Sequence, residues 1–205
     1  MVSLLAGGEA GELSAPQADL LDRIERRLAS LQALLDDFLD LEATRAIPAA
    51  PGASDVSAAA RTACARASNR ARARSSTLRL DGADPLHASI PRADLELVID
   101  HLVDNAIKYG RGSDITVRVG LDAAGVRLAV SDSGIGISRA ALARLFEPLF
   151  RAPEAEALAP GSGLGLLIVR ELVERCGGTV AVESVEGEGT RVTLSLPVVE
   201  KTSDA

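Results

Sequence analysis

The 205-residue chain has no tryptophan, one tyrosine and three phenylalanines. So small an aromatic supply argues against a surface that stacks nucleobases, and it leaves the core to Leu, Val, Ile and Ala. Cysteine occurs twice, at Cys64 and Cys176, far apart and outside any CxxC or Cys/His ligand set. That speaks against a disulfide framework or a structural zinc site, and both read as reduced cytosolic thiols. No apolar run approaches the roughly 18 residues needed to span a bilayer, and the N-terminus lacks the charged and apolar regions of a secretory leader. A soluble, cytoplasmic chain is expected. Positive charge is also in deficit: 22 Lys and Arg face 29 Asp and Glu, a net charge of −7. Nucleic acid and anionic lipid are therefore not expected partners.

What is present is the balance of a folded protein, 47% hydrophobic and 25% charged, enough for one ordinary domain plus an accessory element. The first long pattern follows Ser14, with Gln17 placed for a capping box, and runs through Leu21, Ile24, Leu28, Leu31, Leu35 and Phe38. Spacings that alternate between three and four make a heptad seam, which predicts a helix paired with a helix of another chain or of sequence outside this one. Leu34 and Leu41 widen the stripe, which suits a helix lying on its own domain. Self-association through a bundle is the expectation. Residues 1–47 are assigned to this element and 48–54, with Pro48, Pro51 and Gly52, to a linker. A helix capped by Ser54 should run from Asp55 to about Arg74. Its arginines 61, 66, 70, 72 and 74 read as a solvated face rather than a nucleic-acid patch.

Strand-like patterns follow at Thr77–Leu80 and Leu86–Ser89, then an amphipathic helix from Arg92 to Tyr109. Alternation at Ile115, Val117 and Val119, at Val126, Leu128 and Val130, and at Val192, Leu194 and Leu196 marks strands with one buried face. A further helix spans about Leu164 to Cys176, ended by Gly177 and Gly178. The mixed order predicts an α/β (α+β) sandwich over residues 55–199, one sheet covered by helices on one face, with 200–205 as a tail.

Chemistry concentrates in three places. His101, Asn105 and Lys108 share the polar side of the Arg92 helix. Asp132-Ser-Gly-Ile-Gly-Ile137 follows a strand; it reads as a plain strand-ending turn or as an acceptor carboxylate beside glycines that admit a flat ligand. Gly161-Ser-Gly-Leu-Gly-Leu166 opens a helix, whose free N–H groups favour phosphate oxygens. It is neither a Walker A motif nor a Rossmann fingerprint.

Together, VIDHLVDNAIKYG, DSGIGI, LFEPLF and GSGLGL resemble, in order and spacing, the N, G1, F and G2 boxes of sensor histidine kinase catalytic domains, within the superfamily shared with gyrase, Hsp90 and MutL. The resemblance covers roughly Asp55 to Val199 and implies the Bergerat ATP-binding fold, with a mobile lid at about Ser138–Pro160. It implies that Asn105 ligates Mg²⁺ and that Lys108 and Tyr109 contact the phosphates and wall the nucleotide. Asp132 would accept from the adenine amine, with Gly134, Gly136, Ile137 and Phe150 shaping that pocket. Gly161, Ser162, Gly163, Leu164, Gly165 and Leu166 would form the lid hinge and phosphate donors, and Arg151 would reach the γ-phosphate. Implied partners are a response regulator receiver domain and a histidine-bearing dimerisation hairpin. Residues 16–45 are similar to the second helix of such a hairpin, and the resemblance implies the membrane attachment of the full-length protein that is common in this family.

Two departures from the family pattern stand out. The position one turn before Asn105 is His101 rather than Asn or Glu. Its imidazole either orients or deprotonates the attacking group as a catalytic residue, or hydrogen-bonds near the phosphates; the absent Glu argues against efficient ATP hydrolysis. The only histidines are His87 and His101, with no His-Glu-x-x-Thr/Asn-Pro acceptor box. The expectation is therefore the C-terminal part of a longer kinase, with the acceptor elsewhere. The alternatives are a serine/threonine kinase of the same superfamily or a non-catalytic adaptor that keeps the fold.

Overall fold

The computed structural model describes residues 14–46, 52–82 and 85–199. Helix α1 (Ala15–Ala46) opens with the glutamine half of the capping box: the Ser14 N–H and hydroxyl both donate to Gln17 Oε1, at 2.9 and 2.8 Å. Its two faces answer to the two alternatives. Ile24, Leu28, Leu31, Leu35 and Phe38 stay exposed, Leu31 at 61%, whereas Leu41 is buried and Leu34 packs on the core. Most of the expected linker, and the tail, lie outside the described residues.

Strand β1 (Ser54–Asp55) pairs antiparallel with β3 (His87–Ala88). Helix α2 (Val56–Ala73) follows directly, and its cap differs from the sequence expectation. Asp55, not Ser54, accepts from the Ala58 N–H at 2.9 Å, because Ser54 is buried and spends its hydroxyl on the Ile90 carbonyl at 2.7 Å. One residue of displacement separates a strand position from a helix cap.

The main sheet has five strands in the order β2-β4-β5-β7-β6. They are β2 (Leu78–Gly82), β4 (Ile115–Asp122), β5 (Gly125–Asp132), β6 (Thr179–Val185) and β7 (Gly189–Leu196). The β2–β4 pair is parallel and the others are antiparallel. Ile115, Val117, Val119, Leu128, Val130, Leu194 and Leu196 all bury one face, as their period of two requires. Against that face pack α2, α3 (Arg92–Tyr109) and α6 (Gly165–Arg175).

Helix α3 is the centre of the molecule. Leu95, Val98, Ile99, Leu102 and Val103 are fully or almost fully buried, each contributing about 2 kcal/mol. Alanines 59, 60, 63, 67 and 71 of α2 are buried as well, so α2 lies close against its neighbours. Outside that seam Arg66 pairs with Asp100 at 2.8 Å and Glu96 at 3.5 Å, and Arg70 with Asp104 at 4.0 Å. Those arginines face α3 carboxylates, in keeping with a solvated face. They register two helices and add little stability each.

The segment expected as a lid carries two short helices, α4 (Arg139–Leu142) and α5 (Pro153–Leu158). Ser138 Oγ caps α4. No residue of α5 is buried, which agrees with its Ala, Glu and Pro composition.

Candidate functional site

Between α3, the β5 end, the lid and the start of α6 lies a cavity of about 160 Å³. Each wall follows from local sequence. Along α3, His101, Asn105 and Tyr109 recur at i, i+4 and i+8, so one helix face presents all three to the cavity. Asn105 makes no side-chain hydrogen bond with the described residues, leaving its amide oxygen available. Lys108 is offset from that face and does not line the cavity; its ammonium sits 2.6 Å from Asp104.

Strand β5 carries Asp132 to the cavity floor, paired in register with Thr190 of β7. Burial pushes the Asp132 carboxyl above its ordinary value, and the amide N–H groups of Gly134 and Thr190, donating to it, pull part of the way back. The Gly134 donor is at 2.8 Å. Around this carboxylate the wall is apolar: Val130, Ile135, Ile137, Val182 and Val192. An apolar slot with one acceptor suits a flat ring bearing an amine.

The turn after β5 closes that slot. Gly136 takes a left-handed φ of +63°, and a Cβ there would stand 2.0 Å from the Val185 carbonyl oxygen. The turn is tied down by Ile135 N–H to Tyr109 O at 3.1 Å and Gly187 N–H to Ile135 O at 2.7 Å. Ile137 N–H donates to Ser184 Oγ at 2.8 Å. Gly134 lies behind the cavity, its backbone pressed against Tyr109 and Gly110.

At the other end α6 begins without a side-chain cap, so its first N–H groups and dipole face the cavity through Gly165 and Leu166. Gly161, Ser162 and Gly163 line the same end. Leu164 is buried and does not line the cavity. Ser162 Oγ accepts from the Leu164 N–H at 2.9 Å. Phe150 and Arg151 also line the cavity. The Arg151 guanidinium donates to two lid carbonyls, Ala155 at 3.0 Å and Ala159.

The structure adds a residue that sequence reasoning missed. Asp37 of α1 reaches the cavity and accepts from Ser162 Oγ, while Arg175 ties α1 down through the Thr44 carbonyl. Nothing local marks Asp37, since it is one of several acids on an exposed helix. Thr190 was missed too, although its place opposite Asp132 follows once β5 and β7 are paired. A second cavity of about 300 Å³, lined among others by Leu86, His87, Leu121 and Val126, offers no carboxylate, so the convergent polar groups belong to the first. Among the described residues no helix is long and apolar enough to cross a membrane.

Residues 91–200 match the model of the histidine kinase-, DNA gyrase B- and HSP90-like ATPase family. The chain is 35% identical over 195 residues to the sensor histidine kinase ZraS of Escherichia coli (strain K12), covering 94% of this chain and 39% of that protein. It is 35% identical over 198 residues to the histidine protein kinase DivJ of Caulobacter vibrioides, covering 92% and 32%. The chain thus spans about two fifths or less of the length of these curated relatives. Among solved structures it is similar to full-length ShkA in complex with AMPPNP, at a TM-score of 0.71 and 25% identity, over 93% of this chain and 41% of that one. The mycobacterial sensor histidine kinase MprB superposes at a TM-score of 0.64 and 25% identity, over 73% and 98%.

Proposed function

Because the chain belongs to the histidine kinase-, DNA gyrase B- and HSP90-like ATPase family, we propose that it is the ATP-binding catalytic module of a sensor histidine kinase. It binds Mg-ATP and passes the γ-phosphoryl group to a histidine on a dimerisation hairpin, for relay to a response regulator. One observation carries the reading: a buried carboxylate, Asp132, and an uncapped eleven-residue helix, α6, converge on one cavity. Asp132 accepts from the adenine amine between apolar walls, and the phosphates lie towards the α6 N–H groups.

The amide oxygen of Asn105 fits magnesium, being a hard ligand without a competing partner among the described residues. When bound, the ion neutralises phosphate charge. His101 and Arg151 complete the phosphate end. Arg151 reaches the γ-phosphate only by giving up the Ala155 and Ala159 carbonyls, which couples lid position to nucleotide. Lys108 joins the phosphates only by leaving Asp104. In the transfer, an imidazole nitrogen forms the new bond to phosphorus as the bond to the bridging oxygen breaks. ADP leaves with that electron pair, and the imidazole gives up its proton. The protein contributes position and charge, as in other phosphoryl transfers.

The acceptor lies outside these 205 residues, and the exposed α1 seam supports pairing with a second copy in a cytoplasmic dimer. Support for a kinase over an adaptor comes from the polar acceptor and both glycine loops standing together around the cavity. The test is transfer in trans: the chain, ATP labelled at the γ position and a separate histidine-bearing hairpin. Label in acid-labile form on the hairpin is the expected result. Binding of ATP without transfer to any such hairpin would overturn the kinase reading and favour the adaptor.

A further inference from the structure

Beside the phosphate end lies a cluster in which the reading above gives a task to His101 alone and none to its two acidic neighbours. Asp37 and Asp40 stand one turn apart on α1, and His101 of α3 meets them. One carboxylate oxygen of each aspartate and one imidazole nitrogen lie within 4.8 Å of one another, and all three residues are partly buried. The Nε2 atom of His101 is buried and has no hydrogen-bond partner among the described residues, a state that buried polar atoms rarely keep. The Nδ1 side is closed by α6, standing 3.2 Å from where a Cβ on Gly165 would lie. The cluster joins elements far apart in sequence, and the helix bearing its acids is held in place independently by Arg175 through Thr44, with Ser162 holding Asp37 itself.

We propose that Asp37, Asp40 and His101 form a divalent-cation site, separate from the magnesium that accompanies nucleotide at Asn105. An ion of the Zn²⁺, Co²⁺ or Ni²⁺ class bound there fastens α1 to the catalytic domain beside the phosphate end. The ion class follows from the donors. One imidazole and two carboxylates suit borderline first-row ions, whereas Mg²⁺ and Ca²⁺ select oxygen-only sets. Ligand bonds of about 2.0–2.2 Å would bring the donors to roughly 3–3.5 Å from one another. Closing from a spread of at most 4.8 Å asks for side-chain rotation rather than helix movement. Ser162 already orients Asp37 by a hydrogen bond, and such outer partners fix ligand direction. Three protein donors leave further coordination positions open. Because the ion would hold the helix that carries the exposed apolar seam, its occupancy links that helix to the nucleotide pocket.

The test titrates zinc chloride, then cobalt chloride, into the whole chain without nucleotide, by calorimetry, with melting midpoints and the cobalt absorption spectrum as further readouts. Expected are one site, weakening by about tenfold or more in Asp40→Asn and in His101→Ala, and binding close to wild type in Asn105→Ala. Zinc should raise the melting midpoint of the wild type, and raise that of Asp40→Asn less at the same zinc concentration. Asp37→Asn serves the same purpose should either first variant fail to fold. Zinc affinity unchanged in the variants, or no zinc binding by the wild type, overturns the proposal. So does loss of the site in Asn105→Ala, which would make it the nucleotide's metal site. A sulfur-to-metal charge-transfer band in the cobalt spectrum also overturns it, by placing the ion at Cys64 or Cys176.

Discussion

Alanine at position 136 tests the geometry of the adenine wall. The backbone there is left-handed at φ +63°, and the added Cβ would stand 2.0 Å from Val185 O, 2.7 Å from Val185 C and 3.0 Å from Glu186 Cα. All three are backbone atoms, so no side chain can rotate away to admit it. An L-residue in that conformation costs about 1–2 kcal/mol. The turn must also move away from β6, which weakens the Gly187-to-Ile135 and Ile137-to-Ser184 hydrogen bonds, at about 1 kcal/mol each. The total is about 3–4 kcal/mol, or roughly 6–16 °C in the melting midpoint for a chain of this size. Ile135 and Ile137 line the cavity, so affinity for nucleotide should fall as well. Gly161→Ala is the control: the nearest atom to a Cβ there is 3.7 Å away, and the change should stay within about 0.5 kcal/mol. Calorimetric melting and an ATP titration of both variants check this. A Gly136→Ala protein that melts with the wild type, or a Gly161→Ala protein that loses as much, would refute the reasoning.

Two other outcomes are expected. Arg175→Ala leaves Asp94, 2.7 Å from the guanidinium with both side chains about one fifth exposed, and the Thr44 carbonyl without this partner, at about 2 kcal/mol. Amide exchange should then quicken over residues 34–46 and stay slow in β4, β5 and β7; an equal rise everywhere contradicts a role in docking α1. The second concerns pH. Asp132 has a folded pKa raised above the ordinary 3.8 because burial penalises its charge, so it costs stability above the raised value, and that cost disappears as pH falls towards 3.8. Adenine needs the ionised form, so ATP affinity should drop over that same window in the wild type more than in Asp132→Asn; parallel pH profiles for the two proteins would contradict the assignment.

The limits of α3 and the alternation of β4, β5 and β7 are legible in the sequence, because burial on one face imposes a period that local residues alone reveal. Asp132 and its glycine turn are legible for a related reason: a strand end that passes as close to other backbone as Gly134 does to Tyr109 and Gly136 to Val185 needs glycine there. The cap of α2 is not, since Ser54 and Asp55 are equally good caps in isolation and only the Ile90 carbonyl decides between them. The Lys108–Asp104 ion pair is legible in the same way, since the two residues stand four apart on one helix. Asp37 and Asp40 lie beyond any local reading. Their place beside His101 depends on how α1 lies against α6, which is settled by Leu34, Leu41 and Arg175 together.

The most direct measurement is calorimetric titration of Mg-ATP into the whole chain alongside Asp132→Asn. Binding in the millimolar range or tighter is expected of the wild type, and binding at least about tenfold weaker of the variant, since a charged acceptor contributes about 1.5–3 kcal/mol. Equal affinities for the two proteins, or no binding by either, would contradict the placement of adenine against Asp132 and with it the nucleotide site proposed for this cavity.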